Sequence, residues 1–291
     1  MNETVTPFEG SEGNRLAASV WNTAGEAKGS AVLLHGGGQT RHAWDRAGRR
    51  LSGAGFETYA LDARGHGESE WVPSKRYSMF DMAADLGCVL CEVRRRTHHE
   101  PIVIGASMGG LATMLHCAEQ SDIGAKAIVL VDITPRMRAD GVDRIMSFMA
   151  EKAEDGFESV EQAADAIASY LPDRPRPKSL KGLAKNLRRH GDGRYRWHWD
   201  PNFVSGPHPV ESREGPVRQK MLYEGVARMK VPLLLIRGAR SELVDDEAVR
   251  EVLTLAPHAK FVDVGGAGHM VAGDRNDAFN DALIEFVERL C

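Results

Sequence analysis

Apolar residues in this chain follow two rhythms. Short runs such as Ala31-Val32-Leu33-Leu34, Ile102-Val103-Ile104, Ala127-Ile128-Val129-Leu130-Val131 and Leu233-Leu234-Leu235-Ile236 are apolar throughout, the mark of strands covered on both faces. Longer stretches between them carry apolar residues three and four apart. Phe80, Met82, Ala83, Leu86, Val89, Leu90 and Val93 within residues 78–96 are an instance, and that spacing predicts an amphipathic helix. Taken in order, the rhythm gives an early edge strand over residues 15–21, where polarity alternates, and a strand over 31–34. A helix over 39–51, a strand over 56–61, the helix over 78–96 and a strand over 102–104 follow. Then come a helix over 111–118 and a strand within 125–133. The alternation returns with a strand over 232–238. A helix opened by Asp245, Asp246 and Glu247 and running to Leu255, a strand over 260–264 and a closing helix over 277–290 complete the chain. This predicts an α/β fold with a mostly parallel sheet covered by helices.

Between residues 136 and 229 the rhythm stops. Helices are expected over about 142–152, 159–171 and 179–190, with a last one ending near Met229. Pro172-Asp173-Arg174-Pro175-Arg176-Pro177 stiffens the connection between the second and third. The expected organisation is a core of residues 1–135 and 230–291 with a helical cap, residues 136–229, inserted over the carboxyl edge of the sheet.

A chain of 291 residues accommodates one large domain with such an insertion. The net charge of -4 and the lack of a basic face exclude nucleic acid as the expected partner. The four cysteines, Cys88, Cys91, Cys117 and Cys291, are few enough to fit a reducing compartment. Cys88 and Cys91 form a C-x-x-C within a helical pattern, and are read as core or half-buried helix residues. The first residues lack the basic and apolar regions of a signal peptide, and no apolar run is long enough for a membrane helix. The expectation is a cytoplasmic protein acting on a small molecule, away from membranes, with no cofactor and no metal; the sequence leaves a homodimer open. His98-His99-Glu100 resembles a metal cluster on paper, but adjacent side chains diverge, and a solvated loop is expected.

The most informative chemistry follows the strand at 102–104. Gly105-Ala106-Ser107-Met108-Gly109 lies between that strand and a helix. Strand, G-x-S-x-G, helix is the context in which a serine sits on a tight, strained turn with its hydroxyl above the sheet edge. Ser107 is therefore the candidate nucleophile. A serine hydroxyl needs a neighbouring base to take its proton.

The motifs His35-Gly36-Gly37-Gly38, Asp62-x-Arg64-Gly65-His66-Gly67-x-Ser69, Gly105-x-Ser107-x-Gly109 and Gly266-Ala267-Gly268-His269, in that order, resemble the α/β-hydrolase fold family. The resemblance covers nearly the whole chain except the cap. It implies attack by Ser107 on a carbonyl carbon, with His269 as general base. The backbone N–H of Met108 and, from the loop after the early strand, that of Gly37 would form the oxyanion hole. His35 and the 62–67 loop would brace the site. Epoxide hydrolases and haloalkane dehalogenases of this fold carry an aspartate at the elbow, and the serine here argues against both.

The acid departs from the commonest family pattern. Most members place it three residues past the glycine that ends the strand after the cap. Here that glycine is Gly238, and the third residue on is Ser241. Glu242 is one residue off, and Asp245 and Asp246 suit helix capping. A subset of the family, small esterases with a similar stretch to Val131-Asp132-Ile133-Thr134-Pro135 and a serine at the later position, takes its acid from this earlier aspartate. The resemblance thus implies Asp132 as the third member of a triad.

The expected function is a serine hydrolase of small to medium carboxylic esters. Cleavage of a carbon–carbon bond in ring-cleavage-type diketones, of a lactone or of a thioester is the enzymatic alternative. A low-turnover ligand receptor is the alternative outside enzymes. The aromatic stretch Tyr195 to Phe203 reads equally as pocket lining or cap core, and Trp44 and Met108 are further candidates for the pocket edge.

Overall fold

A computed structural model of the chain describes residues 3–170, 180–210, 215–269 and 276–290. The chain opens with β1 (Glu3–Glu9), β2 (Arg15–Trp21) and β3 (Gly29–Leu34). A 3₁₀ turn at Arg41–Trp44 leads into α1 (Asp45–Gly53), followed by β4 (Phe56–Leu61), α2 (Met79–Thr97), β5 (Ile102–Ala106), α3 (Met108–Glu119) and β6 (Ala127–Val131). Next come α4 (Ala139–Ala150), α5 (Val160–Tyr170), the single turn α6 (Lys181–Ala184), a hairpin of β7 (Leu187–Arg189) and β8 (Tyr195–Trp197), the short α7 (Asn202–Ser205), and α8 (Gly215–Arg228). The chain ends with β9 (Leu233–Gly238), α9 (Asp246–Leu255), β10 (Lys260–Val264) and α10 (Asn276–Glu288).

Eight strands form one sheet in the order β1-β2-β4-β3-β5-β6-β9-β10. β1, β2 and β4 pair antiparallel, and every pairing from β4 to β10 is parallel. The uniformly apolar strands bury both faces, as their composition requires. Ala31, Leu33, Ile102, Ile104, Val129, Val131, Leu234 and Ile236 pack on one side with α1 and α10. Their neighbours Val32, Val103, Ile128, Leu130, Leu233 and Leu235 pack on the other with α2, α3, α8 and α9. Ser78 and Asp81 close a capping box at the start of α2, which fixes where that helix begins.

The differences from the sequence reading have physical causes. Residues 15–21 form an interior strand, paired on both sides by β1 and β4. Ser19 looks polar in the pattern but is fully buried, with hydrogen bonds to Glu3 and Arg41, so β2 is not an alternating edge. The helix expected over 179–190 is a single turn followed by the β7–β8 hairpin, whose loop turns at Gly193 with φ +82°. Gly191 and Gly193 between two alternating runs were a hairpin signal. Cys88 and Cys91 lie exposed on α2. The proline-rich connection at 172–177 lies outside the described residues. No helix among the described residues is long and apolar enough to cross a membrane.

α8 lies against α3 so closely that a Cβ on Gly225 would sit 1.9 Å from the carbonyl oxygen of Met114. Gly225→Ala gains about 1 kcal/mol of helix propensity, but forcing the two backbones apart costs about 1–3 kcal/mol. The expected result is a net loss, read as a lower urea midpoint; an unchanged or higher midpoint would show that α3 and α8 separate freely.

Candidate active site

Each parallel strand delivers one part of a crevice at its carboxyl end, where ligand sites of such sheets lie. The glycine loop 36–38 follows β3, Asp62 follows β4, Ser107 follows β5, Asp132 follows β6, Ser241 lies beyond β9 and His269 beyond β10. Ser107 stands at φ 46°, ψ -115°, a conformation that costs about 1–3 kcal/mol. The flanking glycines let the elbow form. A Cβ on Gly105 would lie 2.7 Å from the Gly109 carbonyl, and one on Gly109 would lie 2.5 Å from the Leu34 carbonyl oxygen.

The structure brings Ser107, His269 and Asp132 together. His269 Nδ1 lies 2.7 Å from Asp132 Oδ2, and His269 Nε2 lies 3.1 Å from Ser107 Oγ. Asp132 is fully buried and held at φ +50°. Its Oδ1 accepts the Gly238 N–H at 2.9 Å, and its Oδ2 accepts the Ser241 hydroxyl at 2.6 Å. A neutral His269 donating from Nδ1 to this carboxylate turns the Nε2 lone pair toward the serine hydroxyl, the arrangement that lets it take the serine proton. The other acids turn elsewhere: Glu242 pairs with Arg144, Asp245 caps α9, and Asp246 pairs with Arg237.

Ser241 has a place that sequence reasoning missed. Its N–H donates to Gly238, its oxygen accepts from the backbone of Leu243 and Val244, and its own proton goes to Asp132. The signal was present in that a serine stands after β9 at the place where the resemblance would put the acid.

The expected oxyanion donors are the N–H groups of Met108 and Gly37. Met108 N–H is the first of α3 and has no intrahelical acceptor. Gly36 packs so closely that a Cβ there would come 3.3 Å from Ser107 Cβ. Among the described residues nothing accepts the N–H of Met108 or of Gly37. The surrounding loops are braced by buried polar groups. His35 donates from Nδ1 to the Gly36 carbonyl and accepts the Ala63 N–H at Nε2. Asp62 binds the Arg41 backbone and guanidinium, and Arg64 meets Asp85 through two hydrogen bonds.

Above the serine lies a cavity of about 550 Å³, within the size range of small-molecule sites. Its apolar wall includes Met146, Met149, Ile167, Trp197, Trp199 and Phe203, and Met108 reaches it as expected. Trp197 and Trp199 stack with ring centroids 5.0 Å apart while both also line the cavity, so core packing and pocket lining describe the same rings. Trp44 does not line it; it is buried beside Phe279 on the opposite face of the sheet. His98, His99 and Glu100 are exposed, away from the crevice.

Three buried imidazoles, His35, His66 and His198, cluster behind the glycine loop, with ring centroids 5.2 Å apart for the first pair and 5.6 Å for His66 and His198. Burial lowers the pKa of all three, helped in His66 and His198 by the neighbouring His35, and His198 is pushed down to about 3. His116 on α3 shifts the same way through burial. In the unfolded chain such rings titrate near about 6.5. Below that pH the unfolded chain takes protons that the folded chain refuses, so stability is full above about pH 6.5 and falls as pH drops. The slope approaches about 1.4 kcal/mol per pH unit for each ring. Urea midpoints are expected to fall steeply from about pH 7 to about pH 5, above the range where carboxylates titrate. A flat series would mean that these rings are charged in the folded protein.

Comparison with known proteins gives a consistent picture. A family model described as serine aminopeptidase, S33, matches residues 25–276. The chain is 28% identical to Esterase Rv0045c of Mycobacterium tuberculosis over 99% of its own length and 90% of that protein. It is also 28% identical to the sn-1-specific diacylglycerol lipase ABHD11 of Mus musculus, over 83% of the chain and 73% of that protein. The crystal structure of E-2-(acetamidomethylene)succinate hydrolase matches with a TM-score of 0.81 at 21% identity, covering 99% of this chain and 100% of that one; at that identity it is the fold that is shared.

Proposed function

From the premise that the chain belongs to the serine aminopeptidase S33 family and has the α/β-hydrolase fold, we propose that it is a serine hydrolase of small to medium carboxylic esters. The observation that carries the reading is the pair of hydrogen bonds linking Asp132, His269 and Ser107. The esterase and lipase among its relatives support the ester as the substrate bond. The apolar cavity suits an acyl chain better than a charged peptide.

In this reading His269 Nε2 takes the Ser107 proton as Oγ attacks the ester carbonyl carbon. The tetrahedral oxyanion is met by the N–H groups of Gly37 and Met108. His269 then hands its proton to the leaving alcohol, and the acyl group stays on Ser107. Water repeats the sequence in reverse roles: His269 takes its proton, the hydroxide oxygen attacks the acyl carbon, and Ser107 recovers its proton as the acid departs. Asp132 keeps the histidine in the right tautomer and stabilises its cation. Ser241 and the Gly238 N–H hold the Asp132 carboxylate in place. The insert 136–229 is read as the cap: its described elements α4 to α7 line the acyl pocket, and α8 rests on α3 of the core.

The test is a panel of p-nitrophenyl esters of increasing chain length, run with fluorophosphonate labelling. Ester turnover with labelling at Ser107 is the expected result. Labelling with turnover only of diketones, lactones or thioesters would reassign the bond cleaved, and neither labelling nor turnover would leave a binding protein on a hydrolase fold.

A further inference from the structure

We infer that His198 is a positioning residue for the oxyanion hole, holding the carbonyl of Gly38 so that the N–H of Gly37 is aimed at the reacting oxygen. The inference rests on the reading of Gly37 as an oxyanion donor. His198 follows β8, in the segment between β6 and β9, and its ring is buried. Nδ1 lies 2.7 Å from the backbone nitrogen of Gly67. A backbone N–H only donates, so Nδ1 is the acceptor and the ring proton sits on Nε2. That proton is donated to the Gly38 carbonyl at 3.2 Å.

The rest of the loop is held by other partners. His66 Nε2 accepts the Gly38 N–H at 3.4 Å, and its own Nδ1 proton goes to the Arg64 carbonyl at 3.1 Å. Gly36 donates to Gln39 Oε1, and its carbonyl takes the His35 proton. Of the three glycine N–H groups, that of Gly37 alone has no acceptor among the described residues. Gly38 sits at φ +70°, and a Cβ there would meet the Trp199 ring at 3.2 Å and the Met149 methyl at 3.3 Å. His198, Trp199 and Met149 all come from the segment between β6 and β9. That segment therefore does more than roof the pocket: it is one wall of the mould in which the oxyanion loop is cast. Donors to an oxyanion act only if they are fixed before charge develops, so a loosened Gly38 lowers kcat without altering ground-state binding.

Two substitutions separate the two contacts. His198→Asn keeps an amide oxygen near Nδ1 for Gly67 and removes the donor to Gly38, whereas His198→Gln keeps a donor near Nε2. Sites are counted by fluorophosphonate labelling, kcat is expressed per labelled site, and affinity is measured for a trifluoromethyl ketone, whose hemiketal oxygen occupies the oxyanion position. For His198→Asn, kcat per site is expected to fall about 10- to 100-fold, a part of what losing a whole donor costs. KM should stay near wild type, and ketone affinity should fall by the same factor. His198→Gln should recover most of the loss. A purely structural role would reduce the number of labelled sites and the urea midpoint with kcat per site unchanged, and that result overturns the inference, as does an equal loss in both variants. A wild-type protein that neither labels nor cleaves esters would instead overturn the esterase reading, and this inference with it.

Discussion

Ser107→Ala is expected to abolish fluorophosphonate labelling and to lower kcat by about 10⁶-fold, the scale seen when a triad serine is removed. In the proposed reading the hydroxyl forms the acyl bond, and among the described residues no cysteine can replace it: they lie on α2 or are buried in α3. The fold should survive. Among the described residues Ser107 Oγ reaches only His269, and alanine meets the same backbone strain at φ 46° as serine does. A urea midpoint near wild type, with labelling lost, separates chemistry from stability. Stoichiometric labelling of the alanine variant would move the nucleophile elsewhere.

The second largest effect is expected from Asp132→Asn, a fall in kcat of about 10⁴-fold, the scale known for neutralising a triad acid. The asparagine oxygen can still accept the Gly238 N–H. Its NH₂ then faces His269 Nδ1 and the Ser241 oxygen, where Oδ2 now accepts two hydrogen bonds. An NH₂ in that place forces the histidine proton onto Nε2, leaving no lone pair for the Ser107 hydroxyl. Asparagine tolerates the positive φ of this position, so the protein should fold. Glu242→Gln is the control: Glu242 pairs with Arg144 at 2.8 Å, and its neutralisation should leave kcat near wild type. The reverse pattern, with Glu242→Gln inactive and Asp132→Asn near wild type, would return the acid to the loop after β9.

Much of this was legible from residue types alone because both rhythms are strong. A uniformly apolar run such as Ala127–Val131 must be buried on both faces, and its ends follow from the charged Lys126 and Asp132 on either side. Ser107 was legible because its glycines are required by backbone contacts at 2.5 to 2.7 Å, which leave few other residues possible. The interior place of β2 was not, because Ser19 satisfies its hydroxyl through partners far along the chain. Ser241 and His198 escaped for a related reason. Each matters through a hydrogen bond to a group more than a hundred residues away, and no local pattern records such a bond. The β7–β8 hairpin was lost to a helix-like run, although its two glycines marked the turn.

The meeting of Asp132 and Ser241 beside one histidine nitrogen bears on how such sites change over generations. β6 and β9 are adjacent and parallel, so their ends offer two seats for a single carboxylate. Moving the acid from one seat to the other takes two substitutions, and both single steps are handicapped. With aspartate in both seats, two like charges crowd one buried point and one of them must take up a proton. With serine in both, the histidine loses its partner. A lineage that settles on either seat is thus held there by a barrier on each side, and the serine in the vacant seat can be recruited to support the occupied one.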